Sequence, residues 1–368
     1  MKTHKILHII PTLDRAGAEK QMCLLAAGLP RDRFDVHVCG LTRGGPLAAQ
    51  LEDARIPTHI IGKRWKLDPL AFTRLKKHIA SVQPDLIHTW IFAADAYGRA
   101  AGMAAGVKHF VCGLRCVDPW KSGYELIIDR RLARRTNRIV ANSPGVRDFY
   151  IAKGLPAEKM TVIHNAAVAA QPCPQIVRQE LLDELGLPDK VHLIGVIGRF
   201  WPQKRIKDAI WAADLLKVVR DDVHLLVIGD GPQRERLLKY RRQVEIADKV
   251  HFLGERTDVA ALLPHFDLLW STSGYEGQSN AIMEAMSAGV PIVATDIPGT
   301  RDLVVEGETG YLVPVGDRAA LARAAQRIID NPDLAEQLGQ AARRRMADEF
   351  SLDKMIDSYA TLYREVLG

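Results

Sequence analysis

The sequence predicts an α/β protein of two doubly wound, Rossmann-like domains facing across a cleft. Three observations carry that prediction. The chain has 368 residues, enough for two domains at roughly 100–200 residues each. Short apolar runs alternate with helix-length amphipathic segments from end to end, the pattern of βαβ crossovers and parallel sheets. The alternation stops at a proline-punctuated stretch near 166–187 and then restarts.

Taken in order, residues 5–10, 35–41, 58–61, 86–90, 109–114 and 138–141 read as buried strands of the first domain, because each is a short apolar run bounded by turn residues. Segments 18–29, 69–82 and 124–135 between them have helical spacing. The second series runs through 191–197, 224–228, 250–252, 267–270, 291–294 and 310–313. A last amphipathic helix covers about 352–366, with Met355, Ile356, Tyr359, Leu362, Tyr363 and Val366 on one stripe. The expected domains are 1–170, a linker at 171–190 containing Gln171 to Pro174, 191–350, and a C-terminal helix at 351–368 that packs back on the first domain. Ligands of open α/β sheets bind beyond the carboxyl ends of the strands, so the candidate site lies there.

Composition excludes several classes. With 47% hydrophobic and 26% charged residues the chain is neither disordered nor fibrous. No apolar run approaches the ~20 residues that span a bilayer, and the run at 6–10 is too short for a signal-peptide core. Five cysteines (23, 39, 112, 116 and 173) form no CxxC pair, which argues against a disulfide framework or zinc site and for a cytoplasmic protein. The net charge of +6 hides an asymmetry: residues 1–180 carry 27 Lys and Arg against 15 Asp and Glu, whereas 181–368 carry 23 against 29. A basic half facing an anionic partner and a solvated basic face with no partner both fit that split. Neither GRFWPQK (198–204) nor the glycine loop at 16–19 is a GxGxxG fingerprint, and GxxxxGK[ST] is missing, which excludes the common nicotinamide and P-loop enzymes.

The most informative stretch is SGYEGQSNAIMEAMSAGVP (273–291). A strand ends in a small-residue loop, and a helix begins near 278–280, where unpaired amides and the helix dipole suit an anion. Glu276 beside such a site makes sense if it faces hydroxyl groups rather than the anion. Glu276 and Glu284, with seven residues between them, together with Gly277, Asn280, Ala285, Gly289 and Pro291, resemble the motif of retaining GT-B glycosyltransferases of family 4 (glycosyl transferases group 1). Seven further segments resemble that family in order: AGAE (16–19), PDLIH (84–88), VIHN (162–165), GRFWPQK (198–204), VIGDGP (227–232), FLG (252–254), and a hairpin-like loop GETGYLVP (307–314).

The resemblance implies a GT-B fold and a retaining transfer of a sugar from a nucleoside-diphosphate sugar to a glycan, glycolipid or lipid-linked acceptor, as in cell-envelope or exopolysaccharide synthesis. It implies that Gly198, Arg199 and Lys204 meet the donor diphosphate, Glu284 the ribose, and Glu276 the transferred sugar. It also places Gly17, Gly277, Gln278, Ser279 and Asn280 against phosphate and sugar, and Gly254 with Glu255 against the base. The chain has no DxD pair, so no divalent metal is required, and two cations with a helix terminus would stabilise the leaving group. The family reacts on the front face of the sugar, the departing phosphate taking the acceptor's proton.

Two positions depart from the family pattern. Where relatives carry a histidine near the reacting sugar, this chain has Arg115 in GLRCVD (113–118), which cannot act as a base. Donor phosphate, an anionic acceptor and a strand-end cap are its alternative partners. His88 in HTW (88–90), where relatives have HxH, is either a cleft residue or a hydrogen-bonded strand-end histidine. On the acceptor side, RRLARRTNR (130–138), KRWK (63–66), Lys76 and Lys77 suggest a basic, partly aromatic surface for peripheral contact with an anionic membrane, with solvated helix faces as the alternative. No nucleic-acid-binding motif is present. The competing functions are a GT-B protein that binds sugar nucleotides with weakened catalysis and a sugar-nucleotide epimerase.

Overall fold

The computed structural model describes residues 3–168 and 178–368. It divides into two units, the first running to Ala166 and resuming with Leu352–Gly368, the second running from Ala167 to Ser351.

In unit 1 the apolar runs become β1 (His4–Ile10), β2 (Phe34–Gly40), β3 (Thr58–Ile60), β4 (Leu86–Trp90), β5 (His109–Leu114), β6 (Arg138–Ala141) and β7 (Met160–Val162). They form one parallel sheet in the order β3-β2-β1-β4-β5-β6-β7. Its central strands are buried on both faces, as helical crossovers require: Ile6, Leu7, Ile9, Ile10, Leu86 and Ile87 have no exposed surface. Each such side chain contributes about 1.5–3 kcal/mol by leaving water. Strand β7 extends the sheet beyond the six strands expected from the sequence and leads into the exit from the unit at Ala166. Gln21 anchors that exit, its Nε2 donating to the Ala166 carbonyl at 2.9 Å and its Oε1 accepting from Ala166 N at 2.8 Å.

The C-terminal helix Leu352–Leu367 belongs to this unit. Its apolar stripe buries Met355, Tyr359, Leu362 and Tyr363 in one core with Phe34, Val36, Leu86 and Trp90.

Unit 2 repeats the plan with β8 (His192–Ile197), β9 (Val223–Ile228), β10 (Val250–Gly254), β11 (Leu268–Ser271), β12 (Ile292–Thr295) and β13 (Gly310–Val313), ordered β10-β9-β8-β11-β12-β13 and all parallel. Relative to its first strand, each sheet has the 3-2-1-4-5-6 order of a dinucleotide-type fold. Two expectations are corrected. Within the stretch expected as linker (171–190), residues 171–177, including Cys173, lie outside the described residues. The helix Arg178–Leu185 follows, with Leu181 and Leu182 buried in the core of unit 2. Residues 307–314 form no hairpin, since β13 pairs with β12 in parallel.

Candidate functional site

Strand order reverses between β8 and β11, which are neighbours in the sheet although β9 and β10 separate them in the chain. The two loops leaving this switch point build the site.

The first loop starts at Gly198, which follows β8. Phe200 turns inward, fully buried and edge-on to Phe252 at 5.7 Å, so that Arg199 and Trp201 face outward. A short turn at Pro202–Lys204 leads into the helix Ile206–Lys217. This loop rests on the next one: Phe200 N donates to the Asp230 carbonyl at 2.8 Å, and Gly229 N donates to the Gly254 carbonyl at 2.7 Å. A side chain at Gly229 would put its Cβ 2.1 Å from the Gly198 carbonyl oxygen, so only glycine permits the stack. GRFWPQK (198–204), VIGDGP (227–232) and FLG (252–254) are thereby joined in one layer.

The second loop runs from Thr272 to the helix Asn280–Ala288, and polar staples fix it to the first. Thr272 Oγ1 donates to the Lys204 carbonyl at 2.8 Å. Gly274 N donates to the Gln203 carbonyl at 2.8 Å, and Gln203 Nε2 to the Tyr275 carbonyl at 2.8 Å. Lys204 Nζ forms an ion pair with Glu276 Oε1, which also accepts from Ser273 Oγ at 2.7 Å. Glu276 is only 8% exposed, and Gln278 and Ser279 are buried beside it. A hollow lined by Gly198, Lys204, Trp270, Thr272 and Ser273 lies between the two strand ends. Glu284 is half-buried on the 280–288 helix, one turn past its start.

Behind the acidic loop stands a layer that sequence reasoning did not single out. Thr295 Oγ1 donates to the Ser273 carbonyl at 2.5 Å. A Cβ on Gly299 would lie 2.0 Å from the Gly277 carbonyl oxygen, so the 298–301 helix presses directly on the Glu276–Gly277 backbone. The available signal was the Pro-Gly-Thr sequence at 298–300 just after a buried strand.

Gly198, Arg199, Lys204, Gly254, Glu276, Gly277, Gln278, Ser279, Asn280 and Glu284 thus all belong to the strand-end loops of unit 2 or the helix they lead into. Gly17, His88 and Arg115 belong to unit 1. Gly17 is exposed at the start of the helix Gly17–Gly28. His88, expected among the catalytic residues, is instead a core residue: it is 0% exposed, with Nδ1 2.6 Å from the Tyr363 hydroxyl. Burial, with the charges of His8 and Arg115, holds its pKa well below the usual imidazole range. His8 beside it is pushed down to about 3, chiefly by burial, and accepts a hydrogen bond from Trp90 Nε1 at 3.0 Å. The Arg115 guanidinium stacks on Trp90 with 4.1 Å to the ring centroid and donates to the Tyr359 hydroxyl and to Asn165 Oδ1. Among the described residues no group of three or more His, Cys, Asp or Glu is gathered to hold a metal ion.

Comparison with known proteins gives the same architecture. Residues 15–169 match the family described as Glycosyltransferase Family 4, and residues 177–345 the family Glycosyl transferases group 1. The chain is 25% identical to the Escherichia coli UDP-Gal:alpha-D-GlcNAc-diphosphoundecaprenol alpha-1,3-galactosyltransferase, covering 92% of this chain and 91% of that one. It is 30% identical to the glycogen synthase of Mycobacterium tuberculosis over 77% of this chain and 69% of that one. With the N-acetyl-alpha-D-glucosaminyl L-malate synthase of Bacillus anthracis it shares 33% identity, but over about half of either protein (51% and 49%). Among solved structures, Anabaena Alr3699/HepE in complex with UDP-glucose superposes with a TM-score of 0.88 at 25% identity, covering 98% of this chain and 100% of that one. Two Rossmann-type sheets, a stapled loop pair at the switch point of the second, and family matches over both halves make this chain a member of the family 4, group 1 glycosyltransferases with the GT-B fold.

Proposed function

We propose that the protein is a retaining hexosyltransferase. It takes a sugar from a UDP-sugar and transfers it to a glycan, glycolipid or lipid-linked acceptor, acting in the cytoplasm with peripheral contact to the membrane. One observation carries the reading: the Gly198–Lys204 and Thr272–Asn280 loops are stapled together at the switch point, placing Lys204 on Glu276 next to the start of a helix. Supporting it, the Anabaena protein with the same fold binds UDP-glucose, and the Escherichia coli relative is named for a UDP-Gal donor and a diphosphoundecaprenol-linked acceptor.

In this mechanism Arg199 and Lys204 hold the diphosphate, one as a planar fork and the other as a compact charge. The Lys204 ammonium has three N–H donors, so it can keep Glu276 while it meets phosphate. Amides at the start of the 280–288 helix share the developing charge as the glycosidic bond breaks. Glu284 accepts from ribose hydroxyls and Glu276 from hydroxyls of the sugar. The acceptor's proton passes to the departing phosphate, so no side-chain base and no divalent ion is called on.

A thermal-shift panel of UDP-, GDP- and ADP-sugars tests the donor, since a ligand bound by the native state alone raises its stability. UDP-sugars are expected to raise the midpoint most. The reading is lost if no nucleotide sugar does so. The anomeric configuration of the product, read by NMR, decides retention, and full activity in EDTA is expected.

A further inference from the structure

Unit 1 exposes an unusual set of large apolar side chains. Leu67 is 84% exposed, Leu70 67%, Trp65 64% and Trp120 59%, with Tyr124 and Ile127 also exposed. They fall in two short stretches, and the fold brings these together: Lys66 Nζ lies 4.8 Å from the centroid of the Tyr124 ring and 3.8 Å from the Glu125 carboxylate. The helix Gly123–Ala133 is patterned against solubility. Its outward stripe carries Tyr124 and Ile127 and then passes into Arg130, Arg131 and the following Arg134. Arg64 and Lys66 edge the other side, both exposed.

The carboxylates in residues 63–70 and 120–135 are buried or half-buried, and of the patch cations Lys66 pairs with Glu125 at 3.8 Å. Asp68 is buried as the cap of the helix Pro69–Val82. Asp129 is buried between Arg99 and Lys121. Glu125 is held by the Ser122 hydroxyl and amide. An apolar centre with aromatic rings and a wholly cationic edge is complementary to an anionic lipid surface, where Trp and Tyr sit at headgroup depth, Leu and Ile reach the acyl boundary and guanidinium groups meet phosphates. Nucleic acid offers nothing for Leu67 and Leu70. A second copy docked by the same patch would set arginines against arginines.

We propose that this face, centred on Trp65, Leu67, Leu70, Trp120, Tyr124 and Ile127 and edged by Arg64, Lys66, Arg130, Arg131 and Arg134, docks the protein on an anionic phospholipid bilayer without insertion of a helix. It deepens the membrane part of the function proposed above and rests on that part, not on the donor chemistry.

The test is sedimentation of the full chain with phosphatidylcholine vesicles, with and without phosphatidylglycerol, at about 0.02 M and about 0.5 M salt, which brackets strong and weak screening. The parent is expected to pellet with the phosphatidylglycerol vesicles at low salt and to keep a residual fraction at high salt. The Trp65→Ser/Leu67→Ser/Trp120→Ser variant should lose that residue and bind roughly tenfold more weakly. The Arg130→Gln/Arg131→Gln/Arg134→Gln variant should lose the salt-sensitive part. UDP-sugar stabilisation without vesicles is measured in parallel and should equal the parent in both variants, so a failed donor reading and a failed docking face are told apart. The proposal is overturned if the parent ignores phosphatidylglycerol vesicles at low salt, or if the serine variant binds them as the parent does. It is equally overturned if the patch instead holds a dimer that the serine substitutions dissociate in gel filtration.

Discussion

Glu276 pairs with Lys204 and accepts from the Ser273 hydroxyl. Removing the carboxylate leaves the ammonium with more charge to give to a diphosphate. Glu276→Ala is therefore expected to bind UDP as tightly as the parent or tighter while transfer falls, whereas Glu284→Ala weakens UDP about tenfold, the worth of one charge-assisted hydrogen bond. Calorimetry on both variants checks the pair, and a tenfold loss of UDP affinity in Glu276→Ala would refute the division of roles. Lys204→Ala should cost about 2–4 kcal/mol in the transition state, the size of one preorganised charge-stabilising donor. Activity within threefold of the parent contradicts it. The residues of these experiments were legible because chemistry and spacing coincide in short motifs. The fate of His88 was not: its partner Tyr363 is 275 positions away, and nothing local in HTW (88–90) distinguishes a histidine bound for the core from one bound for a cleft.

At the scale of elements, the 298–301 helix is a backstop for the acidic loop. Gly299→Ala forces a Cβ into the Gly277 carbonyl, and overpacking of this kind costs about 1–3 kcal/mol. The expected outcome is a lower thermal midpoint together with weaker UDP-sugar binding. Gly123→Ala is the matched control, since a Cβ there meets nothing within 4 Å and the first helical position gains up to about 1 kcal/mol from alanine. Equal behaviour of the two would remove the backstop. The long central strands were readable from their apolar runs. Strand β7 was not, because three half-buried residues are too few to show a period. The helix Arg178–Leu185 was obscured by the prolines just before it, a turn cue strong enough to extend the expected linker into a segment whose Leu181 and Leu182 are core.

For the molecule as a whole, acid should destabilise. His8, lowered to about 3, and His88, held well below the usual imidazole range, are buried and neutral, so below pH 6.5 the unfolded chain binds protons that the folded chain refuses. Stability then falls as pH falls, by about 1.4 kcal/mol per pH unit for each histidine. Asp95, raised to about 6 by burial, acts with the opposite sign between its folded value and the ordinary 3.8. His78 and His224, each lowered to about 4 chiefly by burial, act in the same direction as His8 and His88, so the histidines outweigh Asp95 and stability falls between pH 6 and 4. Urea unfolding across that range reads it directly, and a flat or rising stability on acidification would contradict the assignment. The two-sheet plan was visible from alternation alone, and the return of the C-terminal helix to the first unit from its apolar stripe, whereas the individual partners of that helix, far apart in the chain, were not.

That closure has a consequence for biogenesis. Unit 1 needs Leu352–Gly368, and those residues leave the ribosome only after all of unit 2 has been made. At about 5–20 residues per second, the nascent first sheet waits for tens of seconds with the seats of Tyr359 and Tyr363, lined by Phe34, His88 and Trp90, still open. The second-synthesised unit has every residue of its core before the first does, so on the ribosome the order of completion runs opposite to the order of translation, and the waiting hydrophobic seat is where a chaperone would be needed.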